Sequence, residues 1–125
     1  MKETEFYKCE VCGNVVALLD KGGGTLVCCG EPMTKLIAKT GDVGLEKHVP
    51  VVTHEKGKLI AKCGEVPHPM TAAHHIVFLA LESERGLEIK YLPSEGVPAV
   101  AEFADVEHGV VYAYCNLHGL WKKIF

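Results

Sequence analysis

The sequence predicts a mainly β protein in two units, a small metal-stapled unit followed by an antiparallel β-sandwich. Three observations carry that reading. Short runs rich in Val, Ile, Tyr and Phe recur between turns containing Gly, Pro and Ser, and nothing of convincing length has helical periodicity. Four of the six cysteines fall within the first thirty residues, while Cys63 and Cys115 stand alone. All seven histidines lie after residue 47. Soft thiolates therefore gather in one part of the chain and imidazoles in the other, which predicts two metal centres divided near residue 40.

Residues 1–36 read as short strands at Phe6–Lys8, Val15–Leu19 and Thr25–Val27, joined by Gly13-Asn14 and by Lys21-Gly22-Gly23-Gly24. So short a segment cannot bury a self-sufficient core and needs a staple such as a metal ion. Residues 37–44 follow as a linker, because Lys39-Thr40-Gly41-Asp42-Val43-Gly44 has the Gly and polar content of a connector. In residues 45–125 the expected strands are Val49–His54, Lys58–Cys63, Ile76–Leu81, Leu87–Leu92, Ala99–Phe103 and Val110–Cys115. Turns at Glu55-Lys56-Gly57, Ser83-Glu84-Arg85-Gly86, Pro93-Ser94-Glu95-Gly96 and His108-Gly109 separate them. Six or seven short strands at this spacing fit an antiparallel sandwich.

Several classes of function are excluded. Thirteen Lys plus Arg against sixteen Asp plus Glu leave a net charge of −3, with no basic footprint for nucleic acid. The longest apolar runs, Ile76 to Leu81 and Val110 to Cys115, are too short to span a bilayer, so no membrane partner is expected. The start, Met1-Lys2-Glu3-Thr4-Glu5, is charged and lacks the apolar core of a signal peptide. A soluble cytoplasmic protein is expected, and in that reducing compartment cysteines bind metal more often than they form disulfides.

Cys9-Glu10-Val11-Cys12-Gly13 has the form of a metal knuckle. Two thiolates two residues apart converge on one ion while N–H groups of the turn point at the sulfurs, and Gly13 tolerates the positive φ of such a turn. The second pair, Cys28-Cys29, is unusual because adjacent side chains normally diverge, so the backbone there must bend and the tetrahedron should be distorted. Four such thiolates suit zinc or a single iron. A purely structural zinc site and a vicinal Cys28–Cys29 disulfide are the alternatives that spacing leaves open.

The second constellation comprises Glu46-Lys47-His48-Val49-Pro50, then His68-Pro69-Met70 with His74, then Cys115-Asn116-Leu117-His118-Gly119. Pro67 and Pro69 restrict the backbone around His68 and aim its ring at low entropic cost. Cys115 and His118 are spaced to place a thiolate and an imidazole on one ion. Imidazoles suit iron, copper or zinc, and one soft thiolate adds electron density along a single axis.

With these motifs in this order, the chain resembles the desulfoferrodoxins, the two-iron form of superoxide reductase. Cys9, Cys12, Cys28 and Cys29 resemble the desulforedoxin iron site, a distorted relative of rubredoxin. The remaining motifs match the superoxide reductase domain. The resemblance implies an immunoglobulin-like β-sandwich for residues 45–125 and a homodimer. It implies two non-haem irons per chain, one held by the four cysteines and one by His48, His68, His74 and His118 with Cys115 as axial ligand. The implied activity is one-electron reduction of superoxide to hydrogen peroxide, with a rubredoxin-type protein as electron donor.

Within that resemblance Lys47 is the attractor for the anionic substrate, and Glu46 is the carboxylate that fills the open metal position in the ferric state. His54, His75 and His108 have no counterpart as ligands and are expected to be ordinary surface residues. His75 should point to the face opposite its neighbour His74. Cys63 reads as a small buried strand residue.

Overall fold

The computed structural model describes residues 3–41, 48–65 and 67–125. The chain forms two compact units, one running through Ile37 and the other from Ala38 to Phe125. The described residues are strand, turn and irregular backbone, and no helix is long and apolar enough to cross a membrane.

In the first unit, β1 (Glu5–Lys8) and β2 (Val15–Leu18) pair as a hairpin, and β5 (Thr34–Lys35) flanks β1 on its other edge. A second hairpin joins β3 (Val27–Cys28) to β4 (Glu31–Pro32). The expected strand at Thr25–Val27 therefore starts later, at Val27. Among the described residues of this unit only Phe6 and Cys9 are buried, so apolar packing alone gives it little stability.

The second unit is a two-sheet antiparallel sandwich. One sheet has the order β10 (Val100–Ala104), β7 (Lys58–Cys63), β6 (Pro50–Glu55). The other has the order β12 (Gly119–Ile124), β11 (Val110–Cys115), β8 (Ile76–Ser83), β9 (Gly86–Tyr91). Period-two alternation explains the packing, since Leu59, Ala61 and Cys63 of β7 and Val111, Ala113 and Cys115 of β11 all reach one core with Leu79, Leu81 and Phe103. The sequence reading has no strand at Gly119–Ile124, and there the structure adds β12.

Lys39, read as connector, lies alongside β12. Its N–H donates to the Leu120 carbonyl at 2.9 Å, and the Lys39 carbonyl accepts the Lys122 N–H at 2.9 Å.

Strand pairing gathers the ends that matter. Pro50 at the start of β6 opposes Cys63 at the end of β7. Ile76 at the start of β8 opposes Cys115 at the end of β11, which opposes Gly119 at the start of β12. One end of the sandwich thus carries His48 and Val49 just before β6, the described residues between β7 and β8, and the β11–β12 hairpin.

Candidate metal centres

The first unit brings Cys9, Cys12, Cys28 and Cys29 together, with their sulfurs all within 4.8 Å of one another. Cys9 follows β1, and its turn closes when Cys9 N–H donates to Asn14 O and Gly13 N–H donates to Cys9 O, each at 2.8 Å. Gly13 sits at φ 83°. The Cys12 N–H points at Cys9 Sγ at 3.4 Å, as a metal knuckle requires.

The adjacent pair converges through the backbone of Cys29, which adopts a left-handed φ of 54° and is followed by Gly30 at 75°. A non-glycine residue there costs roughly 1–2 kcal/mol. The turn brings Cys28 Sγ to 4.0 Å from Cys29 Sγ and 3.7 Å from Cys12 Sγ. Both separations are far beyond a disulfide bond of about 2.0 Å, and all six cysteines are free. Sulfurs bound tetrahedrally at about 2.3 Å from one ion lie about 3.8 Å apart, so the cluster has the dimensions of a metal site.

The thiols also differ in acidity. Cys9 is held down to about 7, chiefly by the Cys12 backbone N–H. Cys29 is pushed up to about 12, first by its hydrogen bond with Cys12 and then by Cys28 and Cys9. Cys28 is raised as well, by hydrogen bonds with Cys9 and Cys12.

In the second unit His48, His68, His74, Cys115 and His118 converge, with one donor atom from each within 4.8 Å of all the others. Neighbouring ring centroids are 4.6 Å apart for His48–His68, 4.7 Å for His68–His74, and 4.9 Å for both His74–His118 and His118–His48. The His48–His74 diagonal is 6.5 Å, as a near-square requires. Adjacent rings stand edge to face, with interplanar angles from 66° to 82°.

His48 Nε2 lies 3.0 Å from His68 Nε2 and 3.2 Å from His118 Nδ1. Four nitrogens about 2.1 Å from a common centre in a square would be about 3.0 Å apart, so the imidazoles fit one ion. Cys115 Sγ lies 3.7 Å from His118 Nδ1. Five protein donors leave one position of a six-coordinate ion without a ligand from the described residues.

Surrounding contacts orient the rings. His68 Nδ1–H donates to the Pro69 carbonyl at 2.7 Å, which fixes the tautomer that turns the Nε2 lone pair inward. His48 stacks on Trp121 at 4.6 Å and 13°. Lys39 Nζ lies 4.9 Å from the Trp121 ring centre and donates to the His118 carbonyl at 3.1 Å. Cys63, buried as expected, donates its thiol to the His48 carbonyl at 3.3 Å.

The sequence reading misses Trp121, Lys39 and Asn116. Asn116 stands inside a motif already singled out, so its position was the one available signal. Outside the cluster, His54 pairs with Asp105 at 2.7 Å, His75 Nδ1 meets the Thr71 carbonyl at 3.0 Å, and His108 is exposed. Glu46 and Lys47 lie outside the described residues.

Comparison with known proteins adds an independent line. Residues 1–36 match the family described as "Desulfoferrodoxin, N-terminal domain", and residues 40–124 match "Desulfoferrodoxin". A desulfoferrodoxin homolog of Archaeoglobus fulgidus is 44% identical over 120 residues, covering 95% of each chain. Desulforedoxin of Megalodesulfovibrio gigas is 67% identical over 33 residues, 26% of this chain and 89% of its own. The crystal structure of the superoxide reductase from Treponema pallidum superposes with a TM-score of 0.82 at 30% identity, covering 97% of this chain and 98% of that one.

Proposed function

The chain belongs to the desulfoferrodoxin family, and from that premise we propose that it is a superoxide reductase with one iron in each unit. The observation that carries the reading is the near-square of four imidazoles with one thiolate beside it. Superoxide, one electron and two protons give hydrogen peroxide, and a ferrous ion held by these five donors would supply the electron.

His48, His68, His74 and His118 would hold the iron through their imidazole nitrogens, and Cys115 would add its thiolate beside them. That buried thiolate would supply soft electron density to the iron. Neutral imidazoles add no charge, so the anionic substrate is not repelled by the ring of donors. Lys47 draws superoxide toward the site on a protein of net charge −3. Glu46 would offer a carboxylate as a further oxygen donor to the oxidised iron. Cys9, Cys12, Cys28 and Cys29 would hold the other iron with four thiolates.

The proposal extends to a rubredoxin-type electron donor and a homodimer, both supported by family membership. A cytoplasmic location follows from the abundance of metal-ready thiols, which persist in reducing compartments.

Metal analysis and superoxide kinetics test the reading together. Two irons per chain are expected, with superoxide consumed at the expense of an external reductant and no oxygen evolved. Two zincs per chain would end it, and oxygen evolution would make the protein a dismutase.

A further inference from the structure

We propose that Asn116 is the positioning residue that holds His74 in register with Cys115. The assignment rests on the reading of His74 and Cys115 as ligands of one iron. The ladder between β8 and β11 ends at the Ile76–Cys115 pair, and past that point the loop carrying His74 has no strand beside it. Asn116 extends the pairing by one step with its side chain. Its Oδ1 accepts the His75 N–H at 2.9 Å, and its Nδ2 donates to the Ala73 carbonyl at 3.0 Å. Its own N–H donates to the His75 carbonyl at 3.1 Å.

The side-chain amide therefore grips the backbone on both sides of His74, as a neighbouring strand would. Thr71 closes the loop from within, with its N–H donating to the His74 carbonyl at 2.9 Å and its Oγ1 accepting the His74 N–H at 3.1 Å. Asn116 follows Cys115 directly and lies two residues before His118. One side chain thus ties a third ligand to the hairpin that carries the other two.

The chemistry demands an amide. Only Asn or Gln offers a donor and an acceptor side by side on one planar group, and Gln is one methylene too long for this gap. Aspartate would keep the acceptor for His75 N–H but set a second acceptor against the Ala73 carbonyl. Alanine would lose both bonds. The role is exerted through the two ligands and involves no contact with substrate.

Asn116→Asp and Asn116→Ala in the full-length iron-loaded protein test the proposal. The readouts are the thiolate-to-ferric charge-transfer band and midpoint potential of the second centre, resolved from the four-cysteine centre by redox titration. Iron release to a chelator is measured alongside, with the four-cysteine centre as internal reference. Both variants are expected to shift the band and the potential and to weaken iron binding by about 10–100-fold, the usual cost of losing an outer-shell partner.

Wild-type band, potential and release rate in both variants would overturn the proposal, as would a lower melting temperature with those three unchanged. Should the alanine variant fail to fold, the isosteric aspartate variant decides alone. Absence of a thiolate-to-iron band in the wild type would instead defeat the ligand reading on which the proposal rests.

Discussion

His48 and His68 face each other through their Nε2 atoms at 3.0 Å, inside a cluster where both rings are buried. His68 keeps its proton on Nδ1, bound to the Pro69 carbonyl, so its Nε2 is the acceptor. The separation is also the one expected of two imidazole nitrogens that turn their lone pairs toward one shared cation.

That pair separates metal binding from packing. His68→Ala removes a ligand carried by a loop, while His48→Ala also removes the ring stacked on Trp121. Both variants are expected to lose the second iron. Only His48→Ala should lose a further ~1 kcal/mol of stability, the usual worth of an aromatic pair. Metal analysis and denaturant melts of the two proteins check the difference, and equal melts would remove the stack from the account.

Metal loading of the four-cysteine centre should release protons. Cys28 is raised above the ordinary thiol range and Cys29 is pushed up to about 12, so both are protonated at neutral pH and both must ionise to ligate. Affinity therefore rises with pH and falls on acidification. Below the value of about 7 for Cys9 that thiolate is protonated as well, and release should accelerate. Zinc titration of the metal-free protein at several pH values, with proton release recorded by an indicator, gives the sign directly.

Cys115 is fully buried at the end of β11. Cys115→Ser is expected to keep some iron on the four imidazoles while losing the thiolate absorption and superoxide reduction. A metallated serine variant with full activity would make the thiolate a structural ligand only.

Lys47 and Glu46 should act at different stages. The bimolecular rate with superoxide is expected to fall as salt rises, because attraction beyond the Debye length of about 10 Å at 0.1 M is screened. Lys47→Ala should be slower with a flatter salt dependence. Glu46→Ala should leave that rate nearly intact and alter the ferric spectrum and its response to added azide. Pulse-generated superoxide decay against ionic strength measures all three proteins, and identical slopes for wild type and Lys47→Ala would return Lys47 to an ordinary surface lysine.

Much of this molecule is legible from residue order, for identifiable reasons. Lys58–Cys63 and Val110–Cys115 coincide with β7 and β11 because each is bounded by a turn or a motif at both ends. β4 and β5 escape periodicity because two residues have no period. β12 escapes for a different reason: Leu120 and Trp121 are buried consecutively, and Trp121 is committed to the face of His48, so alternation breaks where the site begins. The ligand types and their spacing were visible, and so was the need for a bend at Cys28-Cys29. The left-handed φ of Cys29 that makes the bend was not, since no residue type there announces it. Asn116 and Lys39 act through backbone atoms of other segments, which a linear reading does not bring together.

One irregularity decides which of two adjacent histidines meets the metal. Between Phe78, opposite Tyr114, and Ile76, opposite Cys115, the extra residue Val77 has no cross-strand partner in β11. Leu79 and Leu81 face the core, and strict alternation would send Val77 there next. Instead Ile76 takes that place, so the reading frame of the strand shifts by one before the chain reaches His75 and His74. Deleting Val77 would remove only the unpaired residue and leave Ile76, His75 and His74 on their present sides, whereas regular pairing with Val77 kept would exchange the two histidines. The choice between two adjacent imidazoles is thus held in the pairing register of one strand, and in the chemistry of neither ring.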